Sequence, residues 1–195
     1  MIRLKAMALT VVVATSAFTG ILLAADSTEW DLWLPPSGAP VKAVFICPRW
    51  GDGASMARLI QENLGETLGI ATMLTRDDVM TFKEDHFMAS IPATLKSSAI
   101  SLKHPELANA PLLLWAHSNA AQFLLRCLRE IPDRVVAYCL FKSAFGHNND
   151  FGSMSKSAKE AFGMSIWDQN DRIASPGYDQ ETERLGMFRN VAAAR

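Results

Sequence analysis

Short apolar runs alternate with stretches of helical apolar spacing along this chain, and turn residues separate them. Residues 30–34 alternate as Trp30, Asp31, Leu32, Trp33 and Leu34, which suits an edge strand, and Pro35, Pro36, Ser37 and Gly38 make the turn after it. Residues 41–47 are almost continuously apolar, as expected of a strand buried on both faces. In residues 54–64 Met56, Leu59, Ile60 and Leu64 recur at helical spacing, and Gly65 predicts the stop. A second core strand is predicted over residues 70–74. Ser90 then predicts the cap of a helix that carries Ile91, Leu95, Ala99 and Leu102 on one face. Residues 111–116 read as a third strand and residues 119–131 as a helix with Phe123, Leu124, Cys127, Leu128 and Ile131 inward, ended by Pro132. Strands are also predicted over 135–141 and 164–167, and residues 185–194 read as weakly helical.

Strands and helices alternating at this spacing predict an α/β fold: a mostly parallel sheet with helices on both faces. Right-handed crossovers in such a sheet place ligand sites beyond the carboxyl ends of the strands. Chemistry is therefore to be sought in the strand-to-helix loops.

Composition supports one packed domain, since 49% of the 195 residues are hydrophobic and 20% charged. Residues 1–25 stand apart from it. Arg3 and Lys5 precede an uncharged stretch from Ala6 to Ala25, the layout of a secretory signal. Leu22 or Leu23 sits where a small residue is preferred for cleavage after Ala24 or Ala25, so the alternative is an uncleaved membrane anchor. Residues 26–195 form the single domain, and losing Arg3 and Lys5 makes it more acidic. With a formal net charge of −1 and no run of about five like charges, the chain offers no footprint for nucleic acid. Cys47, Cys127 and Cys139 fall inside apolar runs and read as core residues, not as a disulfide set. No histidine spacing suits a metal, and no cofactor motif is present.

The sharpest chemical signal is Leu112 to Ala120, an apolar strand running straight into a helix with Ser118 at the hinge. This is the setting of a nucleophile elbow, in which a strained turn lifts a serine hydroxyl above the sheet. Small residues are needed two positions to either side, because strand and helix nearly touch there; Ala116 and Ala120 fill those positions. A serine that merely caps the helix is the competing reading.

The stretch 104–146, especially residues 105–111 and 132–135, resembles α/β-hydrolase-fold esterases, most closely the planctomycete-type secreted hydrolases. Their elbow typically reads G-H-S-A-G-G, against A-H-S-N-A-A here, and their next strand ends near K-G-G, against Lys142, Ser143 and Ala144. The resemblance implies an exported serine hydrolase of carboxylic esters, small or polymeric, with Ser118 as nucleophile. It implies an oxyanion hole built from the backbone N–H of Asn119 and one more from the loop 47–53, donated by Arg49 or Trp50. It implies a triad acid at Asp171, since residues 167–171 resemble that family's G-E-x-D ending.

The general base is the departure. The family's histidine follows the acid, yet none follows His147 in this sequence. The resemblance thus implies a sheet lacking its last strand and histidine loop, through truncation or natural loss. His147, just past the fourth core strand, is the conceivable substitute, and His117 should point away from the Ser118 hydroxyl. The alternative function is a non-catalytic hydrolase-like binding protein. A missing last strand also predicts an open edge beside residues 164–167 and self-association through it. The N-terminal pattern predicts a location outside the cytoplasm, periplasmic or extracellular, or anchored in the membrane. Cell fractionation should find the chain there, and full-length chain soluble in the cytoplasm would contradict it.

Overall fold

The structure, a computed structural model, describes residues 29–76, 84–141, 154–166 and 191–194. Residues 1–25, Lys142 to Ala144, His147 and Asp171 lie outside the described residues.

Strands β1 (Trp30–Trp33), β2 (Ala43–Cys47), β3 (Ile70–Thr75), β4 (Leu112–His117), β5 (Val135–Phe141), β6 (Phe162–Ile166) and β7 (Val191–Ala194) form one sheet. Their spatial order is β1-β3-β2-β4-β5-β6-β7. Only β1 runs antiparallel, at the edge, as the Trp30 to Leu34 alternation predicts. The other pairs are parallel, so the carboxyl ends of β2, β4, β5, β6 and β7 share one edge of the sheet.

Helices cover both faces. Helix α1 (Gly53–Ile60) packs Ala57 against Phe45, Cys47, Leu74 and Trp115. Helices α3 (Glu84–Ser101), α4 (Ala121–Glu130) and α5 (Lys156–Glu160) lie over the opposite face, where Ile46, Leu112, Leu114 and Leu140 meet Ile91, Leu95, Leu124 and Leu128. The strands' two-residue period sends neighbouring side chains into different cores, which is why β2 and β4 read as unbroken apolar runs.

Three boundaries depart from the sequence reading. Gly65 does not stop the first helix: the chain continues through a π-helical segment Gln61–Gly65 and α2 (Glu66–Leu68). The stop is Gly69, whose φ of +68° is the left-handed conformation a helix end needs and glycine adopts freely. Ser90 does not cap α3 but lies inside it, where its Oγ accepts the Trp30 indole N–H at 2.7 Å and ties edge strand β1 to the helix layer. Val191–Ala194 is a strand, not part of a helix, and pairs in parallel with β6 from Gly163↔Val191 to Ile166↔Ala194. The β6 edge expected to lie open is therefore paired. Alanine's helix preference is a few tenths of a kcal/mol per residue, too weak over four residues to outweigh a ladder of backbone hydrogen bonds.

The cysteines lie in the core: Cys47 and Cys127 are buried and Cys139 partly so, with none in a disulfide. Burial pushes the Cys47 and Cys127 thiols far up and Cys139 up to about 11, which leaves them as inert thiols at neutral pH.

Residues 105–111 and 132–135 meet in space. Arg134 Nη2 donates to the Ala110 carbonyl oxygen at 2.7 Å, while Glu106, in the 3₁₀ turn Pro105–Asn109, accepts the Val41 N–H at 2.8 Å. His104 Nδ1 lies 2.8 Å from the same carboxylate oxygen. The bond to His104, with that to Val41, holds the Glu106 carboxyl below its ordinary range. A carboxyl that ionises more readily in the folded state stabilises above its unfolded pKa, and that stabilisation is lost as pH falls through the folded value. Glu106→Ala is expected to cost about 1 kcal/mol at neutral pH, its partial exposure keeping the figure small. Denaturant unfolding checks this: the gap between wild type and variant should close in strong acid, and a gap independent of pH would contradict it.

Candidate active site

Ser118 stands where β4 gives way to the 3₁₀ turn Ser118–Ala120 and then α4. Its φ is +53°, and Lys103 is the one other described non-glycine residue with positive φ. A serine capping a helix holds extended φ, so the plain-cap reading gives way to a bent strand–turn–helix hinge. Such a conformation costs about 1–3 kcal/mol and persists only where the surroundings over-determine it. Here Ala116 and Ala120, two positions to either side, are buried to 0% and 1% exposure, so strand and helix close over both methyls. Ser118 itself is half-buried and Asn119 exposed. The Asn119 N–H belongs to the first turn of a helical segment, whose N–H groups have no intrahelical acceptor.

The loop after β2 lies against this hinge. Its backbone donors can be accounted for one by one. The Arg49 N–H donates to Thr75 Oγ1 at 2.7 Å, and Trp50 N–H to the Pro48 carbonyl at 2.9 Å. Asp52 N–H donates to His117 Nδ1 at 3.2 Å, and Gly53 N–H to the Trp50 carbonyl at 3.0 Å. Arg49 and Trp50, the donors expected from sequence, thus spend their N–H groups inside the protein. The Arg49 side chain is also committed, with Nε to the Thr75 carbonyl at 2.9 Å and Nη2 to Asp31 Oδ2 at 3.4 Å. Asp31 holds Arg76 as well, at 2.9 Å, so its carboxylate ties β1 to the ends of β2 and β3.

Sequence reasoning missed the part His117 plays. Its side chain packs against Trp115 and Phe141, with ring centroids 6.1 and 5.4 Å distant, and reaches the Gly51–Asp52 turn. The signal was a glycine at 51 whose reason lies far off in sequence. His104 is held at the opposite, amino-terminal edge of β4 by Glu106, so it is remote from the hinge. A cavity of about 320 Å³ opens between α1 and the β1–β3 edge, lined by Trp33, Arg49, Ala57, Arg58 and Leu74, and Ser118 does not line it.

No protein-family model and no curated protein sequence matches this chain. Solved structures do. A cold-adapted esterase from an Arctic intertidal metagenomic library superposes with a TM-score of 0.55 at 14% identity, over 85% of this chain and 77% of that one. The chain has an α/β-hydrolase fold. An α/β hydrolase from the metagenome of sediments of the lagoon of Mar Chica, Morocco, agrees at a TM-score of 0.53 and 13% identity, over 86% and 84% of the two chains. Thermogutta terrifontis esterase 2, phosphorylated by paraoxon, agrees at 0.53 and 10% identity, over 85% and 78%. At such identities the likeness lies in the backbone.

In this α/β-hydrolase fold the hinge stores strain at one residue, which a stability measurement isolates. Ser118→Gly is expected to be more stable than Ser118→Ala by about 1 kcal/mol, because glycine adopts positive φ without a Cβ penalty. Thermal or denaturant unfolding of the two variants checks this, and equal stability would contradict a strained hinge.

Proposed function

We propose that this protein is an exported serine hydrolase acting on carboxylic esters. The observation that carries the reading is the left-handed Ser118 at the carboxyl end of a central parallel strand, followed at once by a helix. Esterases among the structures of the same fold support the reaction class. In this reading Ser118 Oγ attacks the ester carbonyl carbon and loses its proton to a base. The carbonyl oxygen becomes an oxyanion that accepts the Asn119 N–H, the alcohol leaves with the proton returned from the base, and water releases the acid from Ser118. Asp171, a few positions after β6 ends at that edge, is the proposed acid that orients the base.

The base is neither His104, at the far edge, nor His117, whose Nδ1 accepts the Asp52 N–H. His147 follows β5 and is the histidine to test. One observation favours a second reading, a hydrolase-like binding protein without turnover: Ala116 and Ala120 stand where such hinges usually carry glycine.

Paraoxon and p-nitrophenyl butyrate separate the two. Mass spectrometry after paraoxon treatment should place the diethyl phosphoryl group on Ser118, with no label in Ser118→Ala. Ester turnover should fall by about 10³-fold or more in that variant. Hydrolysis that survives Ser118→Ala would refute the nucleophile, whereas wild type that neither labels nor turns over would support the binding protein.

A further inference from the structure

We infer that His117 is a positioning residue that clamps the Gly51–Asp52 peptide beside Ser118, leaving the Gly51 N–H as the loop's donor to the substrate. The donor role rests on the reading of Ser118 as a nucleophile; the clamp does not.

His117 and Ser118 are sequence neighbours whose side chains part company because the backbone turns left-handed at Ser118. The His117 ring stays on the sheet face it shares with Trp115, two residues back, and with Phe141, its register partner on β5. Those two aromatic rings fix its plane. Its free edge meets the loop after β2, where Nδ1 accepts the Asp52 N–H at 3.2 Å. Acceptance at Nδ1 requires the neutral tautomer with its proton on Nε2.

Gly51 shows how close this approach is. A Cβ there would overlap His117 Nδ1, and the residue's φ of +53° is one that glycine alone adopts freely. The ring accounts for the absent side chain at position 51, and the left-handed backbone is a second, separate reason for glycine there.

The consequence concerns the second oxyanion donor. Arg49, Trp50, Asp52 and Gly53 each spend their N–H on an acceptor within the protein, and Pro48 has none to give. Gly51 N–H has no acceptor among the described residues, and the residue is exposed. It is the loop's available donor, held by a ring one residue from Ser118. Preorganised donors of this kind stabilise a developing oxyanion without reorganising during the reaction.

The test needs two readouts, only one of which depends on turnover. Nitrogen-15 NMR of the full chain should show His117 as the Nε2–H tautomer and the Asp52 amide protected from exchange. His117→Asn, whose Oδ1 can take the place of Nδ1, should keep that protection, and His117→Leu should lose it with the fold intact by circular dichroism. With p-nitrophenyl butyrate, His117→Leu should lower kcat by about 10²-fold with KM little changed, and His117→Asn should recover most of the loss. An Asp52 amide that exchanges equally in wild type and His117→Leu would overturn the clamp. Unchanged kcat in His117→Leu, in an active wild type, would overturn the donor assignment. A wild type without turnover or paraoxon labelling sinks the hydrolase reading and the donor role with it, while Asp52 exchange still decides the clamp.

Discussion

A single residue in left-handed backbone, Ser118, is the constraint around which this sheet is organised. L-residues avoid that region because Cβ crowds the adjoining carbonyl, so the conformation must be imposed by its surroundings. The imposing parts are a central strand with parallel neighbours on both sides, a helix that starts within three residues of the hinge, and two alanines where strand and helix converge. A larger group at either buried position would have to be accommodated by the strand, the helix or both.

The second organising contact is the loop after β2. It is short, and the N–H groups of Arg49, Trp50, Asp52 and Gly53 each have an assigned partner, which leaves little freedom. Thr75 holds it from β3, Asp31 holds it from β1 through Arg49, and His117 holds it from β4. Strands distant in sequence thus converge on a few residues at the carboxyl edge. An electrostatic site gains from that convergence, because donors fixed before the substrate arrives need not be ordered during the reaction.

Much of this was legible in the residues. The apolar runs at β2, β3, β4 and β5 and the helical spacing of Phe123, Leu124, Cys127 and Leu128 mark buried elements directly, since burial is what those periodicities record. Ser118 at a strand-to-helix junction, with small residues around it, was visible for the same local reason. The readings that failed were those in which a local preference met a distant partner. Ser90 has the chemistry of a cap, but an indole sixty residues away takes its hydroxyl. Residues 191–194 have the composition of a helix, but the edge of β6 offers hydrogen bonds that a short helix cannot match. Gly65 looks like a stop, but the π-helical turn carries the chain on to Gly69.

By itself, then, the order of residues determined the fold class, the central strands and the hinge serine, because each depends on neighbours within a turn or a strand. Tertiary structure alone decided which N–H groups of residues 49–53 are spent and which is free, and why position 51 must be glycine. Those outcomes depend on Thr75 and His117 arriving from other strands, and no local pattern records where another strand will lie.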